Sequence, residues 1–154
     1  MENTFKKIIL VDDDPDDRDI FSDAFQNLKL QAELLLLESG HQFMDYMEKI
    51  DLAIPTIVFL DLNMPIISGL DCLKYLREKI ADTNYFVTIY STSASERDME
   101  KAYLLGANGY LKKPTGFRQL QDMMLKTIKT GSTIKDTPLS RAEFLLNGKE
   151  QKDK

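Results

Sequence analysis

The chain has 154 residues, 43% of them hydrophobic, and a formal net charge of −5. That length suits one ordinary domain with a sizeable core plus a short appendage, and the acidic balance argues against nucleic acid, whose phosphates call for a basic stripe. A single cysteine, Cys72, excludes a disulfide framework and a cysteine-based metal site. No apolar run approaches the roughly 18 residues of a membrane span, and "MENTFKKIILV" has no signal-peptide pattern, so a cytoplasmic setting is expected and no membrane partner.

Five short apolar runs alternate with segments of helical period. The first strand is expected over Lys7–Val11, followed by a helix whose stripe is Ile20, Phe21, Ala24, Phe25 and Leu28. A second strand over 32–37 leads through the Ser39-Gly40 turn to a shorter stripe of Phe43, Met47 and Ile50. The third strand, Thr56–Leu60, precedes Leu70, Leu73, Leu76 and Ile80. The fourth, 86–90, precedes a helix capped by Ser95, with Asp98 at the capping-box position, Met99, Ala102 and Tyr103 on its stripe and Gly106 at its end. The fifth, Gly109–Lys112, precedes Phe117, Leu120, Met124 and Ile128. Continuously apolar strands between amphipathic helices predict a doubly wound α/β fold, a five-stranded parallel sheet covered on both faces. The domain is expected over 1–130. Beyond Thr130 glycine, proline and charge accumulate, and 131–154 reads as an extension in which Thr137 and Pro138 start a short helix over 138–147, stopped at Asn147-Gly148.

In open α/β sheets functional groups gather outside the carboxyl ends of the strands. Asp12 and Asp13 end the first strand, Asp61 the third, Ser91 the fourth and Lys113 the fifth. All fall on one edge.

"DDDPDDRD", residues 12–19, places six aspartates in eight positions. Asp14 before Pro15 has the form of a helix N-cap, and Asp16 and Asp17 then lie in the first turn, where the helix dipole favours negative charge. Asp19 is expected in water. Asp12 and Asp13 precede the cap and meet Asp61 on the neighbouring strand tip. Such an all-oxygen cluster without histidine or cysteine suits a hard cation, Mg²⁺ rather than Zn²⁺. An EF-hand loop is excluded, because Asp17 stands where its glycine is needed and Asp23 where its bidentate glutamate is needed.

The stretch "IVFLDLNMPIISGLDCL", residues 57–73, has an aspartate at a buried strand's tip, then Asn63, Met64-Pro65 and Gly69 before a helix. With Asp12-Asp13, Ser91 and Lys113-Pro114 in order, residues 5 to 130 closely resemble response-regulator receiver domains. The wording is most like bacterial single-domain regulators of the phytochrome-associated type. The resemblance implies a flavodoxin-like (βα)5 receiver fold and a phosphorylation switch rather than a turnover enzyme. Asp61 would accept a phosphoryl group from a sensor histidine kinase or phosphotransfer protein. Mg²⁺ would be held by Asp13, Asp61 and the Asn63 backbone carbonyl, with Asp12 acting through water. Lys113 and Ser91 would each meet a phosphoryl oxygen, although a one-residue slip would make Thr92 the hydroxyl donor. The bond before Pro114 is expected to be cis. Tyr110 would be the aromatic switch, moving inward when Ser91 is drawn to the phosphate.

Output is expected through a protein contact over residues 95–129, which also offers a homodimer surface, because the tail is too short for a helix-turn-helix unit. The alternatives are a pseudo-receiver acting as a constitutive binding module and a haloacid-dehalogenase-type phosphohydrolase. The latter wants a second aspartate where Asn63 stands, and Asp13, Asp61 and Lys113 are all retained against the former. His41 is expected exposed, Cys72 packed, and Met44, Met47, Met99, Met123 and Met124 as core or interface filling.

Overall fold

The computed structural model describes residues 5–50, 53–79, 85–93 and 95–133. Its elements, in chain order, are β1 (Lys7–Val11), α1 (Pro15–Leu28), β2 (Glu33–Leu37), α2 (Gly40–Met47), β3 (Thr56–Leu60), α3 (Gly69–Lys79), β4 (Tyr85–Ser91), α4 (Glu96–Leu104), β5 (Gly109–Lys112) and α5 (Phe117–Thr133). The strands form one parallel sheet in the order β2-β1-β3-β4-β5. The order reverses beside β1, which opens a crevice between the tips of β1 and β3.

Period-2 alternation of strand side chains sorts the core into two layers. Ile8, Leu10, Ile57, Phe59, Phe86 and Leu111 pack under α1 and α5, against Phe21, Phe25, Met123, Met124 and Ile128. Ile9, Val11, Val58, Leu60, Val87 and Ile89 face the other way, toward Phe43, Met47, Leu73, Leu76 and Ala102 of α2, α3 and α4. β3 and β4 are buried along their whole length, which is why they read as unbroken apolar runs.

The differences from expectation are local. β4 gains Tyr85 and Ser91 because the ladder continues at both ends, Tyr85 beside Thr56 and Ser91 beside Lys112. β2 starts at Glu33. α2 stops at Met47, and Ile50 joins the core from beyond its end. α5 runs past the composition break to Thr133, because Gly131 is where the helix meets Phe5 and Phe86. A Cβ there would come within 2.9 Å of the Phe5 ring. The expected cap at Thr137, the helix over 138–147 and the stripe position Ile80 lie outside the described residues.

One backbone feature anchors the site. Gly69 opens α3 with its N–H on the Leu62 carbonyl at 3.0 Å, and a Cβ on it would lie 2.2 Å from the Asp61 carbonyl oxygen. Only glycine permits so close an approach, so the β3–α3 loop is drawn tightly over the tip of β3.

Candidate functional site

The acidic run divides at the end of β1. Asp14 caps α1, its side chain accepting the Asp16 N–H at 2.9 Å, with Pro15 at the first helical position. Asp12 turns back into the protein and is fully buried, with Oδ1 accepting the Asp14 N–H at 3.0 Å. Its carbonyl accepts from the Arg18 guanidinium at 2.9 Å, which pins the β1–α1 turn. Asp13 is exposed at the lip. Asp61 is nearly buried on the adjacent strand tip, and its N–H reaches the Val11 carbonyl at 2.9 Å. One carboxylate oxygen from each of Asp12, Asp13 and Asp61 can be chosen so that all lie within 4.8 Å of one another.

Lys113 enters this cluster from β5. Its Nζ lies 2.7 Å from Asp17 Oδ2, 2.9 Å from Asp12 Oδ2 and 3.6 Å from Asp61 Oδ1, with the Tyr90 ring 5.4 Å away. The expectation of a cis bond before Pro114 is corrected: no peptide bond among the described residues is cis. The strand itself aims the lysine, since the Lys113 N–H continues the ladder to the Ser91 carbonyl at 2.8 Å and carries the side chain to the sheet's carboxyl edge.

The charges are unequally matched. Burial pushes the Asp61 carboxyl up to about 7, the neighbouring Asp12 charge adds to the rise, and Lys113 only partly offsets them. Asp12 is raised too, again chiefly by burial. Burial disfavours the Lys113 charge, but its hydrogen bond to Asp17 and its ion pair with Asp12 outweigh that and hold it protonated. One ammonium faces more carboxylate than it neutralises. A hard divalent cation at Asp12, Asp13 and Asp61 fits the surplus and the all-oxygen donor set.

A second network borders the site on the α4 side. Ser91 is fully buried at the end of β4, its Oγ accepting the Ser93 N–H at 3.1 Å, whereas Thr92 is exposed. Ser93 Oγ donates to Asp98 Oδ2 at 2.7 Å, and Ser95 caps α4 by accepting the Asp98 N–H. Tyr110 is buried, and its hydroxyl donates to the Ser93 carbonyl at 3.0 Å. The ring therefore stands inward in this structure.

Asp17 and Tyr90 were missed by the sequence reading. A helix side chain leans toward the N-terminus, so the third residue of α1 can reach back over the strand tips. That direction is the signal that would have found Asp17. His41 is exposed and lies 3.8 Å from Asp45. Cys72 is fully buried and its thiol is pushed up to about 12 by burial, so it is packing. No helix among the described residues is long and apolar enough to cross a membrane.

Comparison with known proteins agrees with this geometry. The profile of the "Response regulator receiver domain" family matches residues 8–125. The nitrate/nitrite response regulator protein NarL of Escherichia coli is 33% identical over 109 residues, 69% of this chain but 47% of NarL, so the chain spans about half of that relative. Response regulator Rcp1 of Synechocystis is 26% identical over 126 residues, 79% of this chain and 86% of Rcp1. The Mn(2+)-bound form of Rcp1 superposes with a TM-score of 0.66 at 25% identity, over 86% of this chain and 96% of that one. The phosphorylated cyanobacterial phytochrome response regulator RcpA gives a TM-score of 0.68 at 25% identity, covering 88% of this chain and 97% of its own. The chain belongs to the response regulator receiver family, phosphorylation switches of two-component signalling that work with a divalent metal at an acidic site.

Proposed function

We propose that Asp61 is the phosphoacceptor and that Asp13, Asp61 and the Asn63 carbonyl hold Mg²⁺ directly, with Asp12 acting through water. The observation that carries this reading is the convergence of three carboxylates on one edge with the Lys113 ammonium 3.6 Å from Asp61. An Asp61 oxygen attacks phosphorus in line: an O–P bond forms as the donor's P–N bond to histidine breaks, and the imidazole leaves with the electron pair. The bound cation supplies charge neutralisation for the transferring oxygens.

Asp61 must be ionised to attack, so its raised pKa works against reaction until positive charge arrives. Lys113 takes one phosphoryl oxygen and Ser91 donates its hydroxyl to another. Drawing Ser91 toward the phosphoryl group alters its contact with Ser93, whose carbonyl holds the Tyr110 hydroxyl. The phosphoryl state thereby reaches the surface of residues 95–129, where a downstream protein or a second copy of the chain docks. The donor is a sensor histidine kinase or phosphotransfer protein, and the setting is the cytoplasm. Asn63 stands where a phosphohydrolase of the haloacid-dehalogenase type needs its general acid, so the acyl phosphate persists as a signal.

Intact mass spectrometry tests the reading. With Mg²⁺ and acetyl phosphate the chain gains one phosphoryl group, and Asp61→Asn gains none. Unchanged mass with both acetyl phosphate and the cognate kinase sinks it.

A further inference from the structure

We infer that Asp17 is a latch on Lys113, a positioning residue that sets how readily the site accepts a phosphoryl group. The inference rests on the reading of Asp61 as phosphoacceptor.

An ammonium has three N–H groups. Those of Lys113 face three carboxylates, and the shortest contact goes to Asp17 at 2.7 Å, the longest to Asp61 at 3.6 Å. The Tyr90 ring closes the core side at 5.4 Å, so the ammonium swings between α1 and β3 rather than inward. A phosphoryl group on Asp61 needs a donor from Lys113, whose ammonium, at 3.6 Å, stands beyond hydrogen-bond reach of Asp61, so it must move toward β3 and stretch its contacts to Asp17 and Asp12.

The two strong partners differ in what release costs. The Asp12 side chain is fully buried and would be left as an uncompensated charge in the core. The Asp17 side chain is 32% exposed and regains water when released. Asp17 is therefore the contact that gives way. It keeps the lysine parked beside the site, yet engaged on the α1 side until a phosphoryl oxygen competes for it. This differs from the ordinary part of a first-turn aspartate, which stabilises its helix end from anywhere in the turn. Asp16 has that part alone: it is exposed, and its bond to the Asp14 cap uses its backbone N–H.

The test compares wild type with Asp17→Asn, Asp16→Asn and Asp17→Glu, under Mg²⁺ and sub-saturating acetyl phosphate, following the rate of mass gain. In that step an Asp61 oxygen forms a bond to phosphorus as the bond to the acetyl oxygen breaks, and acetate leaves with the electron pair. Freeing one partly exposed, charge-assisted hydrogen bond predicts about a 3- to 10-fold faster gain for Asp17→Asn. Asp16→Asn stays within about 2-fold, since it loses only the screened first-turn charge, and Asp17→Glu stays near wild type because it keeps the carboxylate. The Lys113 ammonium resonance reads the pair without any phosphoryl chemistry. It is sharp and slow to exchange in wild type, lost in Asp17→Asn and retained in Asp16→Asn. Equal acceleration by both asparagine variants, a slower Asp17→Asn, or an unchanged ammonium resonance overturns the latch. A wild type that gains no mass from acetyl phosphate or the cognate kinase overturns the phosphoacceptor reading instead, while the ammonium resonance still decides the pair.

Discussion

The two sides of the sheet's carboxyl edge are built from different interactions. On the α1 side, Asp12, Asp17, Asp61 and Lys113 are held together by charge, and the total does not balance. On the α4 side, Ser91, Ser93, Ser95 and Tyr110 form directional hydrogen bonds around a single carboxylate, Asp98. Buried charge acts over several ångströms and answers to any added charge, whereas a hydrogen bond is lost within a few tenths of one. On the function proposed above, a site that takes up a phosphoryl group and reports it gains from both: the first side would sense charge, and the second would turn a small displacement into a change of partner.

The largest effect expected from breaking this contrast is removal of the Lys113 ammonium. Lys113→Ala leaves Asp12 and Asp61 buried without that counter-charge, and loss of one partner from a buried ion pair typically costs 3–5 kcal/mol. With Asp13 and Asp17 open to solvent, a loss of about 2–4 kcal/mol at pH 8 is expected, read by urea denaturation. The loss shrinks as pH falls and the carboxyls protonate, and shrinks again on adding Mg²⁺. A loss that ignores both pH and Mg²⁺ would show that Lys113 acts through packing of its stem rather than through charge.

Asp61→Asn has the opposite sign. The folded-state pKa of Asp61, about 7, lies above the usual carboxylate value. Between those two values the native state binds more protons than the unfolded chain, so wild-type stability falls as pH rises through this window. The contribution is present in full below about pH 4 and absent above about pH 7. An uncharged asparagine of the same shape removes that slope. The metal-free variant should be more stable than wild type at pH 8, by on the order of 1–3 kcal/mol, and equal to it near pH 4. Parallel stability curves for the two would place the cost elsewhere than in the Asp61 charge.

The same contrast explains what could be read in advance. Strand runs such as Thr56–Leu60 are legible because both faces are covered, and the strand-tip rule then brings Asp12, Asp13, Asp61, Ser91 and Lys113 to one edge without any knowledge of distances. Asp17 was hidden because a local cause, the helix end, already accounts for an aspartate there. Its contact with Lys113 joins residues 96 positions apart. The extent of α5 was hidden for a similar reason. Glycine at 131 reads as a helix breaker, while its cause is the pair of aromatic rings pressed against it. Only the folded chain shows Ser93 holding Asp98 and Tyr110 together.

The smallest expected effect sharpens the comparison from the α4 side. Tyr110→Phe removes one hydroxyl and leaves the ring packed in the core, so its direct cost includes the bond to the Ser93 carbonyl, about 0.5–1.5 kcal/mol. No charge is involved, so the loss should be the same at pH 5 and pH 8 and unaffected by Mg²⁺, unlike that of Lys113→Ala. The Ser93 carbonyl sits in the loop that leads into the Ser95 cap. Freed from the tyrosine, amides from Ser95 to Met99 should exchange with solvent faster, while those of β1 and β3 keep wild-type protection. Phosphoryl gain from acetyl phosphate should proceed at close to the wild-type rate, because Tyr110 touches none of the reacting atoms. A variant with normal phosphorylation but a response no longer transmitted to residues 95–129 would separate the two sides of the edge. Slowed phosphorylation of the same size as that caused by Ser91→Ala would merge them into one unit.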